Sequence, residues 1–406
     1  MKIGFEVQRL FRQKKYGIEI ASLELIKKFQ ELQPAYEFVV FAKEDLDREC
    51  FTETENFKVR TVAGRLFADF EQFFLPIACK REKIDLLHCT GNTTPYLSPV
   101  PVVQTLHDII FMDAIPRNDS WYQRLGNHYR RRLVPMVSPR SQAIITVSNY
   151  EKARIVSRLG VDENKIEVIY NGINENHYRL CEDPEKLLVV RNKYNLPDNF
   201  ILFLGNASGR KNPMAVIEAY VMYASKTPRP LPLVTPGLEA KFISQAVKKL
   251  NAVYDPSRFI TPGYIHDEDL PFVYGLSEVF LFPSLSEGFG MPVIEAMACG
   301  TPVLTSKISC MPEIAGDAAL LVDPLSAPAI ADGLLNLLNN PAFRCEKIQD
   351  GLINAKRFSW TNTAEKVLSV YDKILRTTTT IKAAKKSSEK TVLEPTFYFS
   401  NKPRLR

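Results

Sequence analysis

Two glutamates, Glu287 and Glu295, stand in the stretch SEGFGMPVIEAMACGTPV, which runs from 286 to 303. The preceding EVFLFPS is typical of a buried strand, SLSEGFG of a loop, and PVIEAMAC of a helix with Pro292 in its first turn. We therefore predict that Glu287 lies on the loop and Glu295 in the first turn of the helix. Both carboxylates would then lie near one helix N-terminus.

A helix N-terminus flanked by carboxylates could bind a ligand that carries both phosphate and hydroxyl groups. Its free N–H groups favour an anion, and Gly288 and Gly290 would let backbone amides come close because no Cβ intervenes. A carboxylate accepts two hydroxyls at once, which suits the vicinal diol of a ribose or sugar. A nucleoside diphosphate sugar carries both groups. An isolated glutamate pair would more often only favour the helix dipole, but the pattern here is longer than a pair.

Two more polar pairs follow predicted strands. Arg210-Lys211 comes shortly after NFILFLG, and His107-Asp108 ends PVVQTLHD. Fixed cations stabilise the charge that builds on a leaving diphosphate, so Arg210 and Lys211 fit the same ligand. Taken alone, Arg-Lys-Asn after a strand is more often a solvated turn. A histidine at a strand end is more often a satisfied structural residue, here with Asp108 as a local cap.

The elements that must position these residues are short apolar runs that alternate with helical segments along the 406-residue chain. Such runs are typical of parallel strands buried on both faces, so we predict an α/β protein with two doubly wound Rossmann-like domains. Ligands of open α/β sheets bind at the carboxyl ends of the strands, which here would face a central cleft. The predicted divisions are an N-terminal domain at 1–173, a C-terminal domain at 174–362, a closing helix at 363–376 and a basic, partly disordered tail at 377–406.

The charge distribution argues against a nucleic-acid partner. The net charge is +6, and the segment from Arg376 to Arg406 holds eight Lys/Arg and two Asp/Glu, so this tail accounts for the whole excess. A basic Thr/Ser-rich tail is most often solvated, with attraction to anionic lipid headgroups as the functional alternative and RNA as a weaker one. The seven cysteines show no metal-like spacing or disulfide framework, and no apolar run could span a bilayer. We therefore expect a cytoplasmic protein, with peripheral contact to an anionic membrane as an option.

The segment that contains both glutamates resembles the C-terminal signature of the retaining glycosyltransferases of family 4, which have the GT-B fold. The likeness runs from FITPGYIHDEDLPFVYGLSEVFLFPS (259–284) through SCMPEIAGDAALLVDP (309–324). It extends more weakly to TLHDIIF (105–111), ITVSNYEKARI (145–155), VIYNGI (168–173) and LGNASGRKN (204–212). The resemblance implies two Rossmann-like domains facing a cleft.

The resemblance also implies roles for individual residues. Glu295 would bind the donor ribose, Glu287 would lie beside the transferred sugar with the amides of Gly288, Phe289 and Gly290, and His107 would face that sugar. The diphosphate would be held by Arg210 and Lys211, and the base would contact Gly263 and Tyr264. Asn206 follows Gly205 where members often have an arginine, and the first loop, Lys14 to Glu19, has one glycine where members often have several. Residues implied on the acceptor side are Tyr16, Gly17 and Asp108.

Two stretches have the Asp-x-Asp form by which transferases of a different fold hold Mn²⁺ or Mg²⁺: Asp267-Glu268-Asp269 and Asp45-Leu46-Asp47. We interpret both as structural, the first as a helix cap and acidic first turn before LPFVYGLS. The dipole of the helix predicted over PVIEAMAC, together with Arg210 and Lys211, can take the place of a metal ion on the diphosphate. The expectation is therefore transfer without a metal and without a cofactor.

The predicted function is transfer of a hexose from a nucleoside diphosphate sugar, with retention, to a glycan or lipid-linked oligosaccharide in surface polysaccharide synthesis. Resemblance to mannosyltransferases favours GDP-mannose, and UDP-sugars are the alternative donors. Three other functions stay open: a nucleotide-sugar epimerase or phosphorylase, a non-catalytic sugar-nucleotide-binding subunit, and an NAD enzyme, which the absence of G-x-G-x-x-G after a strand disfavours. A basic, aromatic segment at 121–135 and a Phe-rich one at 66–76 would suit a membrane-bound acceptor.

Overall fold

The computed structural model describes residues 1–113 and 121–391, with the backbone alone for 121–123 and 378–391. Within these ranges the chain forms a seven-stranded sheet of order β3-β2-β1-β4-β5-β6-β7 and a six-stranded sheet of order β10-β9-β8-β11-β12-β13. Every strand pairs in parallel with its neighbours. The prediction of two doubly wound α/β domains is therefore confirmed.

The strands of the first sheet are β1 (Lys2–Glu6), β2 (Glu37–Ala42), β3 (Phe57–Thr61), β4 (Leu86–Cys89), β5 (Val102–Thr105), β6 (Ala143–Thr146) and β7 (Ile166–Val168). Those of the second are β8 (Ile201–Phe203), β9 (Leu233–Val234), β10 (Phe259–Ile260), β11 (Val279–Phe282), β12 (Val303–Ser306) and β13 (Leu320–Val322).

The helices of the first half are α1 (Gly17–Leu32), α2 (Phe67–Asp69), α3 (Leu75–Glu82), α4 (Trp121–Val137) and α5 (Asn149–Leu159), with a π-helical turn at Phe70–Phe74. Those of the second half are α6 (Pro184–Lys193), α7 (Pro213–Ser225), α8 (Ala240–Lys249), α9 (Leu270–Leu276), α10 (Met291–Ala298), α11 (Met311–Ala315), α12 (Ala327–Asn339), α13 (Pro341–Ala355) and α14 (Trp360–Thr391).

Continuous apolar sequence explains the central strands. All four residues of β4, β5, β6 and β11 are buried, because helices cover both faces of each sheet. The edge strand β3 and the short strand β7 were not among the predicted strands. Three of the five residues of β3, in FKVRT, are exposed, so this strand lacks the apolar run that marks the others.

The last helix returns to the first domain. It was predicted at 363–376, but α14 begins at Trp360 and continues to Thr391. Its apolar residues Trp360, Ala364, Val367 and Tyr371 pack into the core of the seven-stranded sheet. Residues 377–391 of the predicted basic tail therefore belong to this helix, and 392–406 lie outside the described residues.

Candidate active site

The loop after β11 carries Glu287 into an ion cluster with two cations that follow β8. Lys211 Nζ donates to Glu287 Oε1 at 2.7 Å, and Arg210 Nη1 lies 2.5 Å from Glu287 Oε2. Arg210 also donates to the carbonyl of Ser286 at 3.0 Å. Glu287 is 8% exposed, and although burial opposes its charge, Lys211 and Arg210 together lower its pKa. The structure thus brings together three of the predicted site residues.

The glycines that follow Glu287 form the turn into α10. Gly290 is the residue before the helix and has φ of 100°, and a Cβ there would lie 2.4 Å from the Met311 Cε. Glycine is required at this position for both reasons. Cys310 Sγ donates to the carbonyls of Glu287 and Phe289 at 3.1 and 3.2 Å, which fixes the loop from its carbonyl side.

The backbone amides of this loop are a further feature of the site. Among the described residues, none accepts a hydrogen bond from the amides of Gly288, Phe289 or Gly290. The Phe289 side chain is buried in the second domain's core beside Tyr170 and Phe358, so only its backbone can serve a ligand. These amides and the start of α10 therefore offer donors for an anionic group.

Glu295 lies one residue deeper in α10 than predicted. The helix begins at Met291, one residue before Pro292, so Glu295 is its fifth residue and not part of the first turn. Tyr274 Oη donates to Glu295 Oε2 at 2.9 Å. Burial raises the pKa of Glu295 to about 7, with the Asp267 carboxylate adding to the effect and the Tyr274 hydrogen bond opposing it.

His107 comes from the first domain and lies across from the Glu287 loop. Its amide donates to Asn92 Oδ1 at 2.7 Å, while its buried Nε2 has no hydrogen-bond partner among the described residues. Burial lowers the pKa of His107 to about 4, so the imidazole is neutral at pH 7. A Cβ on Gly288 would lie 2.6 Å from the His107 carbonyl oxygen, which shows how closely the two domains approach here.

Asp108, next to His107, has the local structural role that its position at a strand end allows. Its Oδ1 accepts a hydrogen bond from the Ile110 amide at 3.0 Å. Burial raises the pKa of Asp108, and Arg210 and Arg130 oppose this effect. A field from Arg210 thus reaches Asp108 across the domain boundary.

The domains also meet at the N-terminus of α5, where a glutamate of the second domain caps a helix of the first. Glu313 accepts hydrogen bonds from the amides of Asn149 and Tyr150 at 2.7 and 3.1 Å, and from Tyr170 Oη at 2.8 Å. Ser148 Oγ donates to the Gly288 carbonyl at 2.8 Å. The motif Ser-Asn-Tyr-Glu at 148–151 signals a helix start but not its partner.

The remaining predicted residues lie at strand ends without joining the ion cluster. Tyr264 is 57% exposed, and Lys14 Nζ of the first domain lies 4.3 Å from its ring centroid. Gly263 has φ of 82° with open space around its Cβ direction. Asn206 Oδ1 accepts from the Ser208 amide at 3.0 Å in a local turn. Tyr16 precedes α1 and is 57% exposed, and Gly17 is the first residue of that helix.

The Asp-x-Asp stretches make protein contacts. Asp269 Oδ2 accepts from Lys193 Nζ at 2.6 Å and Tyr194 Oη at 2.7 Å, and Asp47 pairs with Lys15. The expected side-chain cap before α9 is wrong, since Asp269 bonds these two side chains and caps no backbone amide of that helix. In the described part of the chain, no group of three or more His, Cys, Asp or Glu side chains is arranged to hold a metal ion.

Two parallel-sheet domains, with an ion cluster and a helix N-terminus at their seam, define a glycosyltransferase of the GT-B fold. Family profiles agree: Glycosyl transferases group 1 matches residues 189–358, and Glycosyltransferase Family 4 matches residues 16–177. The chain belongs to this glycosyltransferase family. Of the helices in the described residues, none combines the length and apolar character needed to cross a bilayer.

Similar proteins include two mannosyltransferases of Escherichia coli. O-antigen chain mannosyltransferase B is 31% identical over 273 residues, which are 66% of this chain and 69% of that protein. Serotype-specific mannosyltransferase WbdA is 30% identical over 239 residues, 58% of this chain but 29% of that longer protein. The solved structure of Anabaena HepE in complex with UDP and glucose matches with a TM-score of 0.68 and 19% identity, over 92% of this chain and 100% of that one.

Proposed function

We propose that this glycosyltransferase transfers mannose from GDP-mannose, with retention of configuration and without a metal ion, to a glycan or lipid-linked oligosaccharide. The observation that carries the proposal is the cluster of Arg210, Lys211 and Glu287 beside the unengaged amides of the loop before α10. The two cations and the amides suit a diphosphate, and the half-buried Glu295 suits a ribose diol.

The mechanism follows from where charge develops. When the bond between sugar and diphosphate breaks, negative charge grows on the leaving phosphate, and Arg210 and Lys211 stabilise it without reorganisation. The acceptor hydroxyl attacks the anomeric carbon from the face that the diphosphate leaves, and the leaving phosphate takes the proton. Glu287 is a poor nucleophile because two cations hold its carboxylate, which favours this route over a covalent intermediate.

His107 orients the sugar in this proposal. Its neutral imidazole has a free Nε2 in a buried position, and burying such a group without a partner is unfavourable. A sugar hydroxyl from the donor would satisfy it. His107 lies next to the loop that carries Glu287, because Gly288 of that loop closely approaches it.

Mannose is proposed because both Escherichia coli relatives are named mannosyltransferases. Their O-antigen chain and serotype-specific names also support a surface polysaccharide as the product. A UDP-hexose is the alternative donor, since Anabaena HepE was solved with UDP and glucose.

A membrane-bound acceptor would suit an exposed surface of the first domain. Phe73 and Ile77 are 68% and 63% exposed on consecutive turns, and Leu66 is 60% exposed beside them in sequence. The exposed cations Lys80 and Arg81 follow on α3. Apolar side chains beside cations favour the surface of an anionic bilayer. We therefore propose that the protein works at the inner face of the cytoplasmic membrane.

A thermal-shift panel tests the proposed donor. UDP, GDP, ADP and their sugars are added in EDTA to the wild type and to Glu295→Ala. A ligand at 100 times its Kd raises the free energy of unfolding by about 2.7 kcal/mol. We expect a shift with GDP and GDP-mannose that Glu295→Ala loses. A shift that needs Mg²⁺ would contradict metal independence.

Turnover without an acceptor would favour the epimerase, a requirement for free phosphate would favour the phosphorylase, and binding without turnover would favour the non-catalytic subunit.

A further inference from the structure

A pocket of about 180 Å³ opens in the first domain at the carboxyl ends of β1 and β4. Its wall holds two buried carboxylates, Glu6 and Glu71, which are 5% and 6% exposed. Neither belongs to the ion cluster, and neither was singled out from the sequence. Buried acids without a cationic partner are unfavourable for folding, so their presence in a pocket wall calls for a ligand.

The two carboxylates are held differently. Glu71 accepts hydrogen bonds from Tyr129 Oη at 2.9 Å, from Gln72 Nε2 at 2.6 Å and from Thr93 Oγ1, which fixes its orientation. Glu6 accepts one at Oε1, from the Gln8 amide at 2.9 Å. The Thr90 backbone also hydrogen-bonds to the Glu6 carboxylate. Arg130, on the same wall, has a buried Nε without a hydrogen-bond partner among the described residues.

The charges of the wall nearly cancel. Burial and the neighbouring Glu71 raise the pKa of Glu6 to about 8, while burial raises the pKa of Glu71 to about 6. At pH 7 Glu6 is therefore mostly neutral and Glu71 mostly ionised. The wall also holds two cations, Arg9 and Arg130, and a further carboxylate, Glu19, which lies 3.9 Å from Arg9. A phosphate dianion in the pocket would be repelled by Glu71, because the wall has no excess of cations to offset this repulsion. An uncharged polyol would not be repelled.

The loop after β4 joins this pocket to the proposed reaction centre. Thr90 Oγ1 donates to the Glu6 carbonyl at 2.9 Å, and Asn92 Oδ1 accepts from the His107 amide at 2.7 Å. One short loop therefore contacts both the pocket wall and the histidine that faces the Glu287 loop. A group bound in the pocket would therefore lie beside the loop that holds His107.

We propose that this pocket binds an uncharged sugar of the acceptor, with Glu6, Glu71 and Arg130 bonding its hydroxyls, and that it discriminates against phosphorylated sugars. The inference depends on the proposed function, because only a transferase needs an acceptor beside the donor. Glu71 is held ready as a hydroxyl acceptor. Glu6 can both donate and accept, as a hydroxyl does.

The test measures binding of methyl α-mannoside and of mannose 6-phosphate by saturation-transfer NMR, on the full chain saturated with GDP. We expect the mannoside to bind and the phosphate to bind at least tenfold more weakly. Glu71→Gln, which replaces the ionised acceptor by an amide, and Glu6→Ala, which removes both the donor and the acceptor, should each weaken mannoside binding about tenfold or more. Glu49→Gln, an exposed carboxylate of the same domain, is the matched control and should leave binding unchanged.

Three results would overturn the inference while GDP still binds: no mannoside binding to the wild type, equal or tighter binding of the phosphate, or mannoside binding unchanged in both variants. Thermal unfolding of each variant shows whether it is folded. If one variant fails to fold, the other decides the result. Failure of GDP and GDP-mannose to bind at all would instead contradict the proposed function.

Discussion

Lys211 and Glu287 form a 2.7 Å ion pair that joins the strand end of β8 to the loop before α10. Both side chains are buried, so the pair is fixed in the position where a diphosphate would meet it. A bound diphosphate would share the two cations with Glu287. The cations are thereby oriented before the donor arrives, which is the property that electrostatic catalysis requires.

Replacing Lys211 with Met should lower kcat about 100-fold or more, because one fixed charge on the leaving diphosphate is lost. The steady-state rate of GDP release measures this change in kcat. Lys226→Met is the matched control, since Lys226 pairs with Asp332 on the exposed surface. A Lys211→Met enzyme within threefold of the wild type would rule out this role.

The affinity for the nucleotide sugar should depend on pH through Glu295. Because burial raises its pKa to about 7, the carboxylate is mostly protonated at pH 6 and mostly ionised at pH 8. Only the ionised form accepts both ribose hydroxyls, so the Kd should fall by roughly five- to tenfold from pH 6 to pH 8. Calorimetric titration with GDP-mannose measures this, since its diphosphate does not titrate in that range. A Glu295→Gln variant should bind weakly at both pH values, and a wild-type Kd that is flat with pH would contradict the assignment.

The cap that Glu313 places on α5 should hold the domains in register. Glutamine keeps one acceptor oxygen but turns an NH₂ group toward donors, so Glu313→Gln should lower kcat about tenfold with little change in nucleotide Kd. Small-angle scattering should show a larger radius of gyration. Glu278→Gln removes an ion pair with Arg344 within the second domain and is the control. Unchanged kcat and radius would show that the cap does not position the domains.

Gly288→Ala should disturb the same seam from the other side. The added Cβ would lie 2.6 Å from the His107 carbonyl oxygen and 3.0 Å from the Asp108 Cβ, so backbone must move apart. We expect kcat to fall at least tenfold and the melting temperature to drop. Gly275→Ala, whose Cβ direction has 3.8 Å of room, is the control. If Gly288→Ala had the same kcat and melting temperature as Gly275→Ala, the close approach of the domains would not be needed for activity.

The sequence predicted the central strands and assigned Glu287, Arg210 and Lys211 to one site for a clear reason, although it did not predict that they form ion pairs. Continuous apolar runs mark strands buried on both faces, and Glu287, Arg210 and Lys211 all follow such runs, so their meeting at one sheet edge could be expected. The strand β3 was not predicted because its polar edge sequence lacks such an apolar run. The helix start at Met291 could not be located to one residue, and this placed Glu295 one residue too early in the helix.

The contacts that the sequence did not reveal join distant segments. Glu313 caps a helix that begins at Asn149, and Glu6 and Glu71 share a pocket although two strands, β2 and β3, lie between them in the chain. Nothing in the local pattern around these glutamates distinguishes them from solvated ones. Only the fold of the chain shows that they are buried and what they face.

Nucleotide release from GDP-mannose and UDP-glucose in the presence of EDTA, with methyl α-mannoside as acceptor, tests the central claim most directly. We expect GDP release and a disaccharide whose new anomeric proton, seen by NMR, has the donor's configuration, and we expect Lys211→Met to lose this activity. An inverted product, or an activity that EDTA abolishes and Mg²⁺ restores, would contradict the account.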